Sequence, residues 1–201
     1  MRVLIACEES QVVCKAFRLR GHDAFSCDLK PCTGGHPDWH IQANVLDHLR
    51  DDWDLMIAHP ECKYLCFSGE RWIKTEEGRL EKRLEAFEFF KELYHAPIPK
   101  KCIENSHSLF LNQKFMKPTQ SFHPYHFGDG FKKLTCIWLV NLKPLIPTNI
   151  LWQRYPQAHR ESPGPERSAI RARSQPGIAS AMAEQWSRDI SYKQYKQLSI
   201  F

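Results

Sequence analysis

Three short segments carry side chains able to do covalent or acid–base chemistry, and each follows an apolar run. The first is His59-Pro60-Glu61-Cys62, directly after DLMIA. A cysteine in a proline-restricted turn at a strand end is positioned as an exposed nucleophile, whereas a structural cysteine sits more naturally inside the strand. Lys63 favours its thiolate and Glu61 opposes it. The second is Ile103-Glu104-Asn105-Ser106, where Glu104 ends an apolar run. Desolvation there is expected to raise its pKa enough for it to donate a proton. The third is Ala6-Cys7-Glu8-Glu9-Ser10. It lacks GxGxxG, and two glutamates repel phosphate, so a cofactor with a positive amino group suits it better. The alternative is that Glu8 and Glu9 simply begin a helix, as acids do. Asp28, ending a further short run, can accept hydrogen bonds from ribose hydroxyls. A strand-end cysteine followed in order by a strand-end glutamate is more specific than either alone.

These segments need a scaffold, and the hydrophobic pattern supplies one. Residues 1–6 form a strand-length apolar run, after which Val12, Val13, Ala16, Phe17 and Leu19 recur at helical spacing and stop at Gly21. Strands are expected at 23–28, 54–58, 102–104 and 135–140, with a Gly/Pro-rich loop at 31–39. Residues 76–95 read as an amphipathic helix with Leu80, Leu84, Phe87 and Leu93 on the apolar side and the charges in solvent. Residues 144–176 hold six prolines and read as extended surface chain, and 178–186 as a closing helix. There is no internal repeat. Strands alternating with helices imply one α/β domain over residues 1–201, with a mostly parallel sheet and ligands at the carboxyl ends of its strands.

Composition narrows the function classes. The chain has 201 residues, 42% hydrophobic and 25% charged, which excludes disorder as its main state. No apolar run reaches membrane-helix length. Residues 1–10 lack the features of a secretory signal, so a cytoplasmic location and eight reduced thiols are expected. His59, Cys62 and Cys66 lack a second cluster of ligand spacing, and no metal site is expected. The net charge of +5 is unevenly spread. Residues 1–100 carry 14 Lys and Arg against 17 Asp and Glu, a net of −3, whereas residues 101–201 carry 14 against 6, a net of +8. That asymmetry suits an anionic partner on the second half, although a basic solvated surface gives the same count.

The ordered motifs resemble the DNA (cytosine-5)-methyltransferases, particularly the short forms of phages and prophages. DLMIAHPEC with Cys62 is similar to their Pro-Pro-Cys nucleophile motif, and Glu104-Asn105 to their Glu-Asn-Val. Phe127-Gly128, then Lys132-Lys133-Leu-Thr135 before an apolar strand, resembles the segment that carries basic residues near the flipped base. Arg173-Ser174 and GIASAMAEQW resemble the closing motif that returns to the cofactor. The likeness runs through nearly the whole chain. It implies a Rossmann-like S-adenosylmethionine-dependent methyltransferase fold, a mostly parallel sheet flanked by helices without a large target-recognition domain. It also implies transfer of a methyl group to cytosine C5 in DNA, with Cys62 bonded to C6 and Glu104 at N3. S-adenosylmethionine is then the cofactor, held around Ala6, Cys7, Glu8, Glu9, Ser10, Asp28, Asn44, Val45, His59, Pro60, Ile178 and Ala179. DNA is the partner, met by Lys132, Lys133, Thr135, Arg171 and Arg173. No membrane or obligatory protein partner is implied.

The departures from that pattern are specific. ACEESQ replaces a glycine-rich first motif, Asn44 stands where the family has Asp, HPEC replaces the second proline by Glu61, and Lys132-Lys133 replace Arg-x-Arg. The interval 141–173 is short, so little side chain is available to read base edges. Two alternatives follow: pyrimidine modification of RNA or free nucleotides by the same chemistry, and a catalytically weak nucleic-acid-binding protein on the same fold.

Overall fold

The computed structural model describes residues 1–130, 132–153 and 175–187. Its centre is a seven-stranded sheet of β1 (Arg2–Ala6), β2 (Asp23–Asp28), β3 (His40–Gln42), β4 (Leu55–Ala58), β5 (Lys100–Ser106), β6 (Gln120–Phe122) and β7 (Thr135–Val140). The order across the sheet is β3-β2-β1-β4-β5-β7-β6. β1 to β5 pair in parallel, while β7 runs antiparallel to both β5 and β6. It is the mostly parallel α/β sheet, flanked by helices, that the alternation of strands and helices implies.

Alternation along the strands explains why both faces are covered. Val3 and Ile5 of β1, with Leu55 and Ile57 of β4, belong to one core, against which α1 (Val12–Arg18) and α4 (Pro176–Ser187) pack. Leu4 and Ala6, with Met56 and Ala58, belong to the other, shared with α2 (Arg79–His95) through Phe90 and Leu93. A parallel strand buried on both faces reads as a continuous apolar run, and VLIA and LMIA are such runs. The short helix α3 (Leu109–Lys114) adds Leu111 to the second core, its amide end capped by Ser108 Oγ. Among the described residues no helix is long and apolar enough to cross a membrane. Of the Pro-rich stretch 144–176, residues 154–174 lie outside the described residues. Leu145 within it is buried against Gln120, whose side chain bonds both its amide and its carbonyl.

Two helix expectations are corrected. Leu19 lies beyond α1 and is 84% exposed. In α2 the apolar side is rotated: Leu80 and Leu84 are 48% and 47% exposed, while Arg79 and Arg83 are buried with Phe90 and Leu93. The charge run therefore is not all solvated face. The two guanidinium groups are buried because backbone carbonyls and carboxylates meet them. Arg79 Nη2 donates to the Lys63 carbonyl at 3.2 Å, and Arg83 Nε to the Tyr64 carbonyl at 3.1 Å. Arg79 also pairs with Glu76, and Arg83 with Glu70 at 3.0 Å.

Candidate active site

The sheet register brings the strand-end residues into one row. Ala6 is paired with both Cys27 and Ala58, and Ala58 with Ile103. The next residues are Cys7, Asp28, His59 and Glu104, so the ends of β1, β2 and β4 lie level with Glu104, beyond which β5 continues to Ser106 along β7. That is where ligands of parallel α/β sheets gather.

On the β4–β5 side the row converges on reactive groups. His59 Nδ1 lies 3.3 Å from Glu104 Oε2, and their side chains are 10% and 18% exposed. The His59 amide donates to the Ala6 carbonyl at 2.9 Å, which fixes the chain as it leaves β4. Asn105 Nδ2 donates to the Pro60 carbonyl at 3.1 Å, tying the turn before Cys62 to β5. The turn closes on itself through the Leu65 and Cys66 amides, which both donate to the Cys62 carbonyl, and Phe67 N then donates to the His107 carbonyl at 2.8 Å. Arg79 and Arg83 hold the following residues from beneath. Cys62 is thus half-buried on a turn braced from two elements.

The electrostatics differ from the sequence expectation in two respects. Burial pushes the Cys62 thiol above its ordinary value, partly offset by a hydrogen bond with Ser106 and by the charge of Lys133, while Cys66 and Glu104 push it further up. Lys63 and Glu61 are not among these influences. Lys63 instead lies over the Tyr64 ring. Glu104 is the second correction. Burial alone pushes its carboxyl up, but the His59 hydrogen bond, the Lys133 charge and the His59 charge together bring it below the ordinary carboxylate range. That direction favours a hydrogen-bond acceptor over a resting proton donor.

The β1–β2 side is engaged differently. Cys7 adopts φ 60° and its amide donates to the Cys27 carbonyl at 2.7 Å. Glu8 is 3% exposed and accepts from the Val13 and Cys14 amides at 2.7 and 3.1 Å, the open end of α1. Burial pushes its carboxyl up, against the lowering by His59 and those two amides. The Glu9 carbonyl accepts from Thr33 N at 2.8 Å, and Ser10 is 7% exposed. The wholly buried Gln11 bonds the backbone of His36 in both directions, so the 32–36 loop lies across this turn. A Cβ on Gly34 would stand 2.6 Å from the Ser10 carbonyl oxygen, which only glycine avoids. Asp28 accepts from the Lys30 amide at 2.9 Å, Asn44 from the Leu46 amide at 3.1 Å, and Val45 beside it is 4% exposed.

The remaining sequence candidates fall in three groups. Ala6 and Pro60 are buried at their strand ends, and Ile178 and Ala179 belong to the same core as Ile5 and Val13. Lys132 is exposed, Lys133 is half-buried beside Cys62 and Glu104, and Thr135 is 3% exposed. Arg171 and Arg173 lie outside the described residues. Sequence reasoning passed over Ser106, Gln11, Arg79 and Arg83. For the arginines a signal existed: their four-residue spacing continues through Phe87 or Ala86 to Phe90, a helical stripe like any other.

No family model matches the chain, and no curated protein matches it either. Among solved structures it is similar to the S. pombe Dnmt2 methyltransferase, at TM-score 0.46 and 16% identity, over 72% of this chain and 50% of that one. It is similar also to a chain described as a DNA modification methyltransferase encoded within an E. coli prophage, at TM-score 0.46 and 11% identity, over 81% of this chain and 55% of that one. The chain spans about half the length of these two structures. Its fold rests on its own strand order, a mostly parallel sheet with β7 antiparallel between β5 and β6.

Proposed function

We propose that this chain transfers a methyl group from S-adenosylmethionine to C5 of cytosine in DNA through a Cys62–C6 adduct. The observation that carries the reading is the Cys62 turn after β4, which Asn105 Nδ2 ties through the Pro60 carbonyl to β5, the neighbouring parallel strand that bears Glu104. Cytosine C5 is a weak nucleophile until the ring is attacked at C6. Cys62 is the attacking group; Glu104 accepts hydrogen bonds from the exocyclic amine and from N3 once it carries a proton. Lys133 offsets the negative charge that Glu104 and a thiolate bring together. The target base must leave a duplex or be already single-stranded. Loss of the C5 proton and of the Cys62 sulfur completes the cycle.

The residues at the β1–β2 tips fit S-adenosylmethionine at its nucleoside end: Asp28 as acceptor for ribose hydroxyls, with Asn44 and Val45 beside the base. Glu8 fits the amino end poorly, because both of its oxygens already serve α1. The bound cofactor supplies an electrophilic methyl group. We read residues 1–201 as one methyltransferase-like domain, and Lys132, Arg171 and Arg173 as the phosphate-binding residues that the motif order suggests.

The test is labelled S-adenosylmethionine offered with DNA, RNA and free nucleotides in parallel, followed by nucleoside mass spectrometry. The expected product is 5-methylcytosine in DNA, abolished by Cys62→Ser. Transfer that survives Cys62→Ser sinks the mechanism; product only in RNA or nucleotides replaces the substrate; binding of DNA without transfer replaces the enzyme by a binding protein.

A further inference from the structure

His59 is used by nothing in the reading above beyond a contact to the cofactor, yet its ring is among the most constrained polar groups at the strand ends. Nδ1 faces Glu104 Oε2 at 3.3 Å, and a carboxylate there can only accept, so Nδ1 carries the hydrogen. Nε2 is buried without a hydrogen-bond partner. A buried polar atom of this kind calls for an explanation, and at a strand-end site a catalytic one is at hand. The charged and titratable groups around the pair come from every neighbouring element. Glu8 lies on the β1–α1 turn, Cys62 on the turn after β4, Cys102 on β5, Lys133 before β7 and Cys136 on β7.

We infer that His59 is a positioning residue that acts through Glu104, the two forming one proton-carrying unit between the Cys62 thiol and N3 of the bound pyrimidine. This rests on the methyltransferase reading for its substrate, but the coupling itself does not. At rest burial keeps the proton on Cys62, while His59 and Lys133 keep it off Glu104. The balance of the step follows. The S–H bond breaks, and its proton enters the pair at a Glu104 oxygen. The S–C6 bond forms as the C5–C6 double bond opens, and the pair returns one proton to N3. Once C5 has taken the methyl group from S-adenosylmethionine, water or hydroxide removes the C5 proton, the C5–C6 double bond re-forms as the S–C6 bond breaks, and N3 gives its proton back through the pair to restore the thiol. No oxidant is needed. The arrangement also answers the corrected state of Glu104: a carboxylate held ionised has no proton of its own for N3.

The experiment is a carbon-detected NMR titration of the Glu side-chain carboxyls in the full chain, with Glu104 assigned by its loss in Glu104→Gln. Wild type is compared with His59→Asn, which keeps an amide donor near the Nδ1 position, and with His59→Ala. Removing the His59 contact leaves burial less opposed, so the Glu104 titration should move to higher pH in His59→Ala and by less in His59→Asn. In single-turnover label transfer the acid limb of the pH profile should move the same way. Transfer at neutral pH and saturating S-adenosylmethionine should fall about tenfold or more. A Glu104 titration that stays in place in both variants overturns the inference, as does a loss of cofactor affinity with the titration unmoved. If wild type transfers no label to any substrate, the function fails alone, and the NMR titration still decides the pair.

Discussion

Two glutamates near His59, the buried Glu8 and the half-buried Glu104, have carboxyls driven in opposite directions. Glu8 accepts two backbone amides of α1 and is pushed up; Glu104 accepts from one imidazole and is pushed down. His59 lowers both, but only to Glu104 does it also donate a hydrogen bond. Burial is the largest influence on each, and at Glu8 the amides do not overcome it. At Glu104 the same cost is overcome by a hydrogen bond from a group that can carry charge and by Lys133. Neutral dipoles suffice to close a helix end, whereas holding a carboxylate ionised inside the protein takes a formal positive charge nearby. The β1 side of the row is thus committed to the scaffold, and the β4–β5 side is left charged.

The largest effect that separates the two sides is Glu104→Gln against Glu8→Gln. Glu104→Gln should slow label transfer by about a hundredfold or more, whereas Glu8→Gln should act mainly on stability, by about 0.5–2 kcal/mol for an impaired helix cap. Their pH dependences should also oppose each other. Glu104, depressed in the folded state, contributes stability that is present above its unfolded pKa and lost as pH falls through the folded one. Glu8, raised in the folded state, contributes stability that is lost as pH rises through its folded pKa. Melting curves of wild type and both variants from pH 3 to 8 check this. Parallel pH trends for the two variants would remove the distinction.

Lys133→Met comes next. Lys133 lowers both Cys62 and Glu104, so without it both groups should titrate at higher pH. The onset of Cys62 alkylation by iodoacetamide should move to higher pH, and transfer at neutral pH should fall about tenfold. An unchanged onset would return Lys133 to the phosphate-binding role that its sequence position suggests.

Smaller still is the pair on α2. Arg83→Leu removes donors to the Tyr64 carbonyl and Glu70 and should cost about 1–3 kcal/mol in denaturant unfolding. Leu84→Lys, on the exposed side, should stay within about 0.5 kcal/mol. Equal costs would restore the apolar face that hydrophobic spacing alone suggests.

That spacing shows what was legible beforehand and why. β1, β2, β4, β5 and β7 could be read because strands buried between layers are apolar runs closed by turn residues. β3 and β6 are three residues each, HIQ and QSF, with no apolar run to mark them. Cys62 was visible as a residue just past a strand, whereas Glu104, read as a strand end, lies inside β5, which the polar Asn105 and Ser106 continue beside β7. The direction of the Glu104 carboxyl was not visible, because Lys133 reaches it from beyond β6 and His59 from the next strand. The face of α2 was misread because two buried arginines occupy positions that hydrophobicity assigns to solvent. Their partners, the Lys63 and Tyr64 carbonyls, are backbone groups that side-chain composition does not record.

The central claim, that Cys62 bonds to a pyrimidine ring while Glu104 engages the same base, is tested most directly by trapping. DNA containing 5-fluorocytosine, given with S-adenosylmethionine, blocks loss of the C5 substituent and should leave protein and DNA covalently joined. Intact-mass and peptide analysis should find the adduct on Cys62, absent in Cys62→Ser and slowed in Glu104→Gln. A bond at any other residue, or steady methyl transfer with no trapped species, would contradict the account.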